Sequence, residues 1–153
     1  MNLTTIPQFQ DFNIEGIRHI SPTDAYSAIR RGEAFLLDVR EPNETMLETV
    51  KMPDVIYHPM SVILDRIANI PTEKMVITAC PGGVRSLKVA NILVGQGFTN
   101  VVNLDGGLKT WIAMGLPFGR NALFGCGCKS QPVVPEIKQI WKVTPGPDTK
   151  KQE

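Results

Sequence analysis

The sequence predicts an α/β domain, with a mostly parallel central sheet of about five strands and helices on both faces. Three observations carry this reading. Short apolar runs alternate with amphipathic stretches of about ten residues between Gly16 and Met114. Two of the runs, residues 34–39 and 75–79, are apolar almost throughout, as strands covered on both faces must be. Glycines stand where amphipathic stretches stop, at Gly32, Gly97 and Gly115.

The elements follow in order. Residues 17–20 form the first strand. Ser21-Pro22-Thr23-Asp24 starts a helix, with Ser21 as N-cap, Pro22 in the first helical position and Asp24 near the positive end. That helix runs through Tyr26, Ala28 and Ile29 to a stop at Gly32. Residues 34–39 are the second strand, and a short helix is expected over residues 43–48 of the polar stretch that follows. Residues 55–57 are a short strand. Ser61 is expected to cap a helix that buries Val62, Ile63, Leu64, Ile67 and Ala68, with Pro71 ending the connection. Residues 75–79 are the next strand, followed by a helix from Ser86 to about Gln96 and a strand over 101–104. Gly106-Gly107 turns into a last short helix around Trp111, ended by Gly115.

This pattern divides the chain into an N-terminal extension (residues 1–15), one domain (16–120) and a C-terminal extension (121–153). The C-terminal part carries a small positive excess, four prolines (Pro132, Pro135, Pro145, Pro147) and a polar end expected to be loose. Its apolar residues, among them Leu123, Phe124, Ile137 and Trp141, are expected to pack on the domain or on a partner.

Composition narrows the function classes. A chain of 153 residues is long enough for one domain with a real core. Hydrophobic residues at 42% and charged residues at 20% exclude wholesale disorder. A net charge of +1 offers no bulk attraction to nucleic acid or to an anionic membrane, and neither is expected as a partner. The apolar runs are too short to span a bilayer. The start, Met1-Asn2-Leu3-Thr4-Thr5, has no basic region or apolar core of a secretory signal. Three cysteines make an odd and small set, which opposes a disulfide framework. A cytoplasmic, reducing compartment follows as the expectation, and a special cysteine should be chemical rather than structural.

The most informative segment is Cys80-Pro81-Gly82-Gly83-Val84-Arg85-Ser86. It follows a buried strand and precedes a helix, and parallel sheets bind ligands beyond their strands' carboxyl ends. Two adjacent glycines let the backbone curl and bring N–H groups to one point. Pro81 supplies no donor, which leaves the N–H groups of Gly82, Gly83, Val84, Arg85 and Ser86. The helix adds its positive end. The result is an anion cradle with a thiol at its rim, a setting that favours thiolate. Such a thiolate needs no separate general base, which suits a chain whose two histidines, His19 and His58, are remote in sequence. The competing reading is an inert cysteine at a strand end before a glycine-rich turn.

Cys80-x-x-Gly83-x-Arg85-Ser86 resembles the active-site loop of single-domain rhodaneses, the persulfide-forming sulfurtransferases. Leu36-Leu37-Asp38-Val39-Arg40-Glu41 resembles the family's strand ending in Asp-Val-Arg-Glu. Leu104-Asp105-Gly106-Gly107-Leu108-x-x-Trp111, followed by Gly115-Leu116-Pro117, resembles its C-terminal signature. Where members commonly have His-Ile-Pro-Gly-Ala, this chain reads Val50-Lys51-Met52-Pro53-Asp54-Val55, and a reshaped loop is expected there. Pro81 and Val84 stand where many thiosulfate-using members carry basic or polar residues.

The resemblance implies a rhodanese-like fold and a sulfurtransferase. Cys80 would take sulfane sulfur from thiosulfate or a persulfide and pass it to a thiol, a protein or cyanide, with residues 81–86 as the anion-binding loop. No cofactor and no metal is implied. Arg85 would orient a small sulfur-containing anion or, alternatively, stiffen the loop through a salt bridge. Asp38 and Arg40 would support the site from a strand end, or pair locally with Glu41 or Glu44. Asp105 with its glycines reads as a turn device and Trp111 as core. Related cysteine phosphatases place the arginine six positions after the cysteine, whereas Arg85 is five after Cys80, a ring that suits one sulfur atom better than a phosphoryl group. A non-catalytic binding or regulatory module is the alternative function. Gly125-Cys126-Gly127-Cys128 offers two further thiols, read either as accessible and idle or as a sulfur relay from Cys80. Two cysteines alone do not make a zinc site.

Overall fold

The computed structural model describes residues 1–121. A sheet of six strands runs in the order β1 (Leu3–Thr4), β2 (Arg18–Ile20), β7 (Val101–Leu104), β6 (Met75–Ala79), β3 (Ala34–Asp38) and β5 (Val55–Tyr57). The last five are mutually parallel, and β1 pairs antiparallel with β2 at one edge. A separate antiparallel pair joins β4 (Glu48–Val50) to β8 (Phe118–Arg120).

Alternation along the buried strands splits the core in two. Leu36, Ile77, Ala79, Val102 and Leu104 face α1 (Pro22–Arg30) and α4 (Gly107–Ala113), where Trp111 is fully buried. Leu37, Val76, Cys80 and Val101 face α3 (Val84–Gly95) through Leu87, Val89, Ala90 and Leu93. Strands covered on both sides leave no polar face, which is why residues 34–38 and 75–79 are buried throughout. α1 begins as its residues dictate: the Ser21 hydroxyl accepts from the Asp24 N–H and Pro22 opens the first turn.

Three expectations are corrected. The Ser61 stretch is not an α-helix but two 3-10 turns, Met60–Val62 and Ile67–Asn69, and Leu64 points outward. The Ser61 N–H and hydroxyl are bound by the Glu41 carboxylate (3.1 and 2.8 Å), so they tether the segment instead of capping it. The helix after Arg40 is only α2 (Pro42–Thr45), because residues 48–50 find a strand partner in β8. Residues 1–15 are not outside the domain, since β1 joins the sheet and the segment after it lies against the cysteine loop.

Candidate active site

Cys80 directly follows β6, the strand flanked by β7 and β3 at the middle of the sheet. Its Sγ accepts hydrogen bonds from the N–H of Gly83 (3.1 Å) and of Ser86 (3.3 Å). Gly83 is the N-cap of α3 at φ +89, and it has no side chain to accept the helix's first N–H groups. The Cys80 sulfur takes that part, accepting from the third residue of the helix as a capping oxygen does. α3 begins at Val84, two residues earlier than the sequence pattern suggests, so Val84, Arg85 and Ser86 form its first turn. Negative charge on the sulfur therefore meets two N–H donors and a positive helix end. Cys80 is 1% exposed.

The loop is held from below by α4. The Leu108 N–H donates to the Cys80 carbonyl (2.8 Å) and the Lys109 N–H to that of Pro81 (3.0 Å). Such an approach needs two left-handed glycines, Gly106 (φ +80) and Gly107 (φ +71).

Arg85 does not extend freely over the loop. Its guanidinium donates both arms to the Glu44 carboxylate, at 2.9 Å each. Glu44 is also the reciprocal member of a capping box with Glu41 in α2. The Arg85 hydrogen bond holds the Glu44 carboxyl well below its ordinary 4.5, at about 2. The unfolded chain thus takes up this proton first. The stabilisation is complete above about pH 4.5 and fades as pH falls towards 2. Glu44→Gln should cost about 1 kcal/mol at neutral pH, after allowance for solvent screening of a partly exposed pair. Urea unfolding of both proteins across pH checks this: their difference should close as pH approaches 2.

Ser86 anchors the other side. Its hydroxyl donates to Asn103 Oδ1 (2.6 Å), and Asn103 Nδ2 donates to His19 Nδ1 (3.2 Å). His19 Nε2 in turn meets Asn13 Oδ1 at 2.8 Å. Burial pushes His19 below its ordinary value, against the pull of Asp105. A neutral ring that donates from Nε2 satisfies both neighbours.

Asp38 and Arg40 pair with each other, and not with Glu41 or Glu44. Arg40 Nη2 lies 2.9 Å from Asp38 Oδ2 and also donates to the Glu48 carbonyl. The pair thus ties the end of β3 to β4. Asp105 sits beside the Gly106-Gly107 turn and accepts from the backbone N–H groups of Gln8 (2.7 Å) and Phe9 (3.0 Å). Cys126 and Cys128 lie outside the described residues. Nothing in the local sequence announces Gln10, His19 and Asn103 near the loop: Asn103 and Gln10 bond to it over 17 and 73 residues, and His19 is joined to it only through Asn103, 84 residues away.

Known proteins share this fold. A family model described as "Rhodanese-like domain" matches residues 21–114. A protein of Allochromatium vinosum named "Sulfurtransferase" is 35% identical over 85 residues, covering 56% of this chain and 78% of that one. A "Thiosulfate sulfurtransferase GlpE" of Pseudomonas syringae pv. syringae is 34% identical over 90 residues, covering 59% and 83%. Among solved structures, a rhodanese-related protein from Thermoplasma volcanium superposes with a TM-score of 0.59 at 29% identity, covering 65% of this chain and 95% of that one.

Proposed function

The chain belongs to the rhodanese-like domain family, and on that premise we propose that it is a sulfurtransferase working through a persulfide on Cys80. The observation that carries the proposal is the convergence of the Gly83 and Ser86 N–H groups on Cys80 Sγ at the start of α3. The thiolate attacks the outer sulfur of a donor. A Sγ–S bond forms, the donor's S–S bond breaks, and its electron pair leaves with sulfite or a thiolate. The cradle then holds the outer sulfur as an anion. An acceptor thiolate or cyanide attacks that sulfur, and the Cys80 thiolate returns.

A persulfide suits this loop better than thiosulfate. Arg85 spends both arms on Glu44, and Pro81 and Val84 bring no charge to meet a dianion. Incubation with each donor, followed by mass spectrometry of the intact protein and its peptides, tests the proposal. One added sulfur atom on Cys80 is expected. No added sulfur with any sulfane donor would return the protein to the alternative, a binding module that keeps the loop without using it.

We also propose that Cys126 and Cys128 accept sulfur from the Cys80 persulfide by exchange. Their joint replacement by serine should leave loading of Cys80 intact while slowing turnover to a dithiol several-fold. Equal turnover in the double variant, with cyanide and dithiol alike, removes the relay.

A further inference from the structure

We infer that Gln10 is a positioning residue for the sulfur cradle, holding both residues whose N–H groups point at Cys80. The inference rests on the sulfurtransferase reading for its kinetic consequence only.

The Gln10 carboxamide uses its full bonding capacity. Nε2 donates to the carbonyls of Phe12 (2.8 Å) and Gly83 (3.2 Å). Oε1 accepts from the Gly106 N–H (2.8 Å) and from Asn103 Nδ2 (3.3 Å). Gly83 is thereby held directly, and Ser86 is held through Asn103, whose Oδ1 takes the Ser86 hydroxyl. These are the two donors to the sulfur. One side chain, 73 residues from Gly83 in sequence, thus joins both walls of the cradle to the Gly106 turn beneath it.

The glycine at 83 serves this arrangement twice. Its φ of +89 is strained for any other residue, and a Cβ there would collide with the Gln10 carboxamide. Gln10 itself is fixed by its own strand of chain. The preceding Phe9 and Gln8 N–H groups grip the Asp105 carboxylate, and Leu3–Thr4 pairs with β2. No donor-facing role is needed. Gln10 acts by keeping Gly83 in its left-handed conformation with its N–H on the sulfur.

Two readouts on the full chain test this: amide hydrogen exchange by NMR, and single-turnover sulfur loading followed by mass. In Gln10→Ala, the Gly83 amide should exchange at least about tenfold faster, while amides from Leu87 to Leu93 keep their protection. Sulfur loading at saturation should slow about five- to tenfold, with the saturating donor concentration unchanged. Gln10→Glu keeps the size and the acceptor for Gly106 but loses the donors to Gly83 and Phe12. It should match Gln10→Ala at Gly83, and it decides the matter if the alanine variant does not fold. Gln8→Ala, which retains its backbone contact to Asp105, should behave as wild type. Unchanged exchange at Gly83 overturns the inference, as does faster exchange with unchanged loading. If wild type itself takes up no sulfur, the sulfurtransferase reading falls, and exchange alone still decides whether Gln10 holds the loop.

Discussion

Cys80→Ser should keep the fold and end sulfur loading. The hydroxyl is smaller than the thiol, but it can still accept from the Gly83 and Ser86 N–H groups. The cap of α3 is therefore kept, and stability should change by no more than about 1 kcal/mol. Serine without a neighbouring base is a far weaker nucleophile than a thiolate. Transfer should fall by at least about a thousandfold, with no sulfur adduct at position 80. Cys80→Ala is the instructive contrast, because it also leaves two buried N–H groups without an acceptor. It should cost about 1–3 kcal/mol in urea unfolding as well as all activity. Undiminished turnover in Cys80→Ser would remove Cys80 from the reaction.

Gly107→Ala should damage stability and activity together. The residue is left-handed at φ +71, which costs alanine about 1 kcal/mol on its own. The added Cβ would lie 2.6 Å from the Cys80 carbonyl oxygen, 2.5 Å from that of Pro81 and 2.7 Å from the Gly83 nitrogen. All three are backbone atoms of the cysteine loop, so no side-chain rotation relieves the clash. The total should reach about 2–4 kcal/mol, and a loop displaced by an ångström should lose about a hundredfold in loading rate. Gly115→Ala separates the two effects. It has a similar φ of +77 but nothing within 4 Å of its Cβ position. It should lose about 1 kcal/mol and no activity. Similar losses in both variants would mean that the contact of α4 with the loop is slack.

What the sequence reveals here is what is locally encoded. Residues 34–38 and 75–79 read as buried strands because both faces are covered, and that shows as unbroken apolar runs. The Ser21-Pro22 start of α1 is legible for the same reason: cap and capped N–H lie three residues apart. Cys80 can be placed at a strand end before a helix from its flanks alone. β1, β4 and β8 are two or three residues each, too short for a period, and exist only because a distant partner offers hydrogen bonds. The Ser61 stretch has helical spacing, yet tertiary bonds from Glu41 override it. Arg85 is visible in the loop, but its engagement with Glu44, 41 residues away, is not. Gln10 gives no signal at all: it is an ordinary polar residue in a segment without periodicity, and its meaning lies entirely in what the fold brings to it.

None of the first fifteen residues is buried, although one of them braces the cradle. Segments with so little buried surface open at far lower free energy than the sheet they lie on. Opening this one would release Gly83, Gly106 and Asn103 from Gln10 and leave the pairing of β3, β6 and β7 untouched. Warming or mild denaturant should therefore loosen the Cys80 loop before the core strands separate. Loss of transfer activity on heating should then precede loss of the parallel sheet, with activity and far-ultraviolet circular dichroism followed on one temperature ramp, and coincident midpoints would show that this segment opens only with the core.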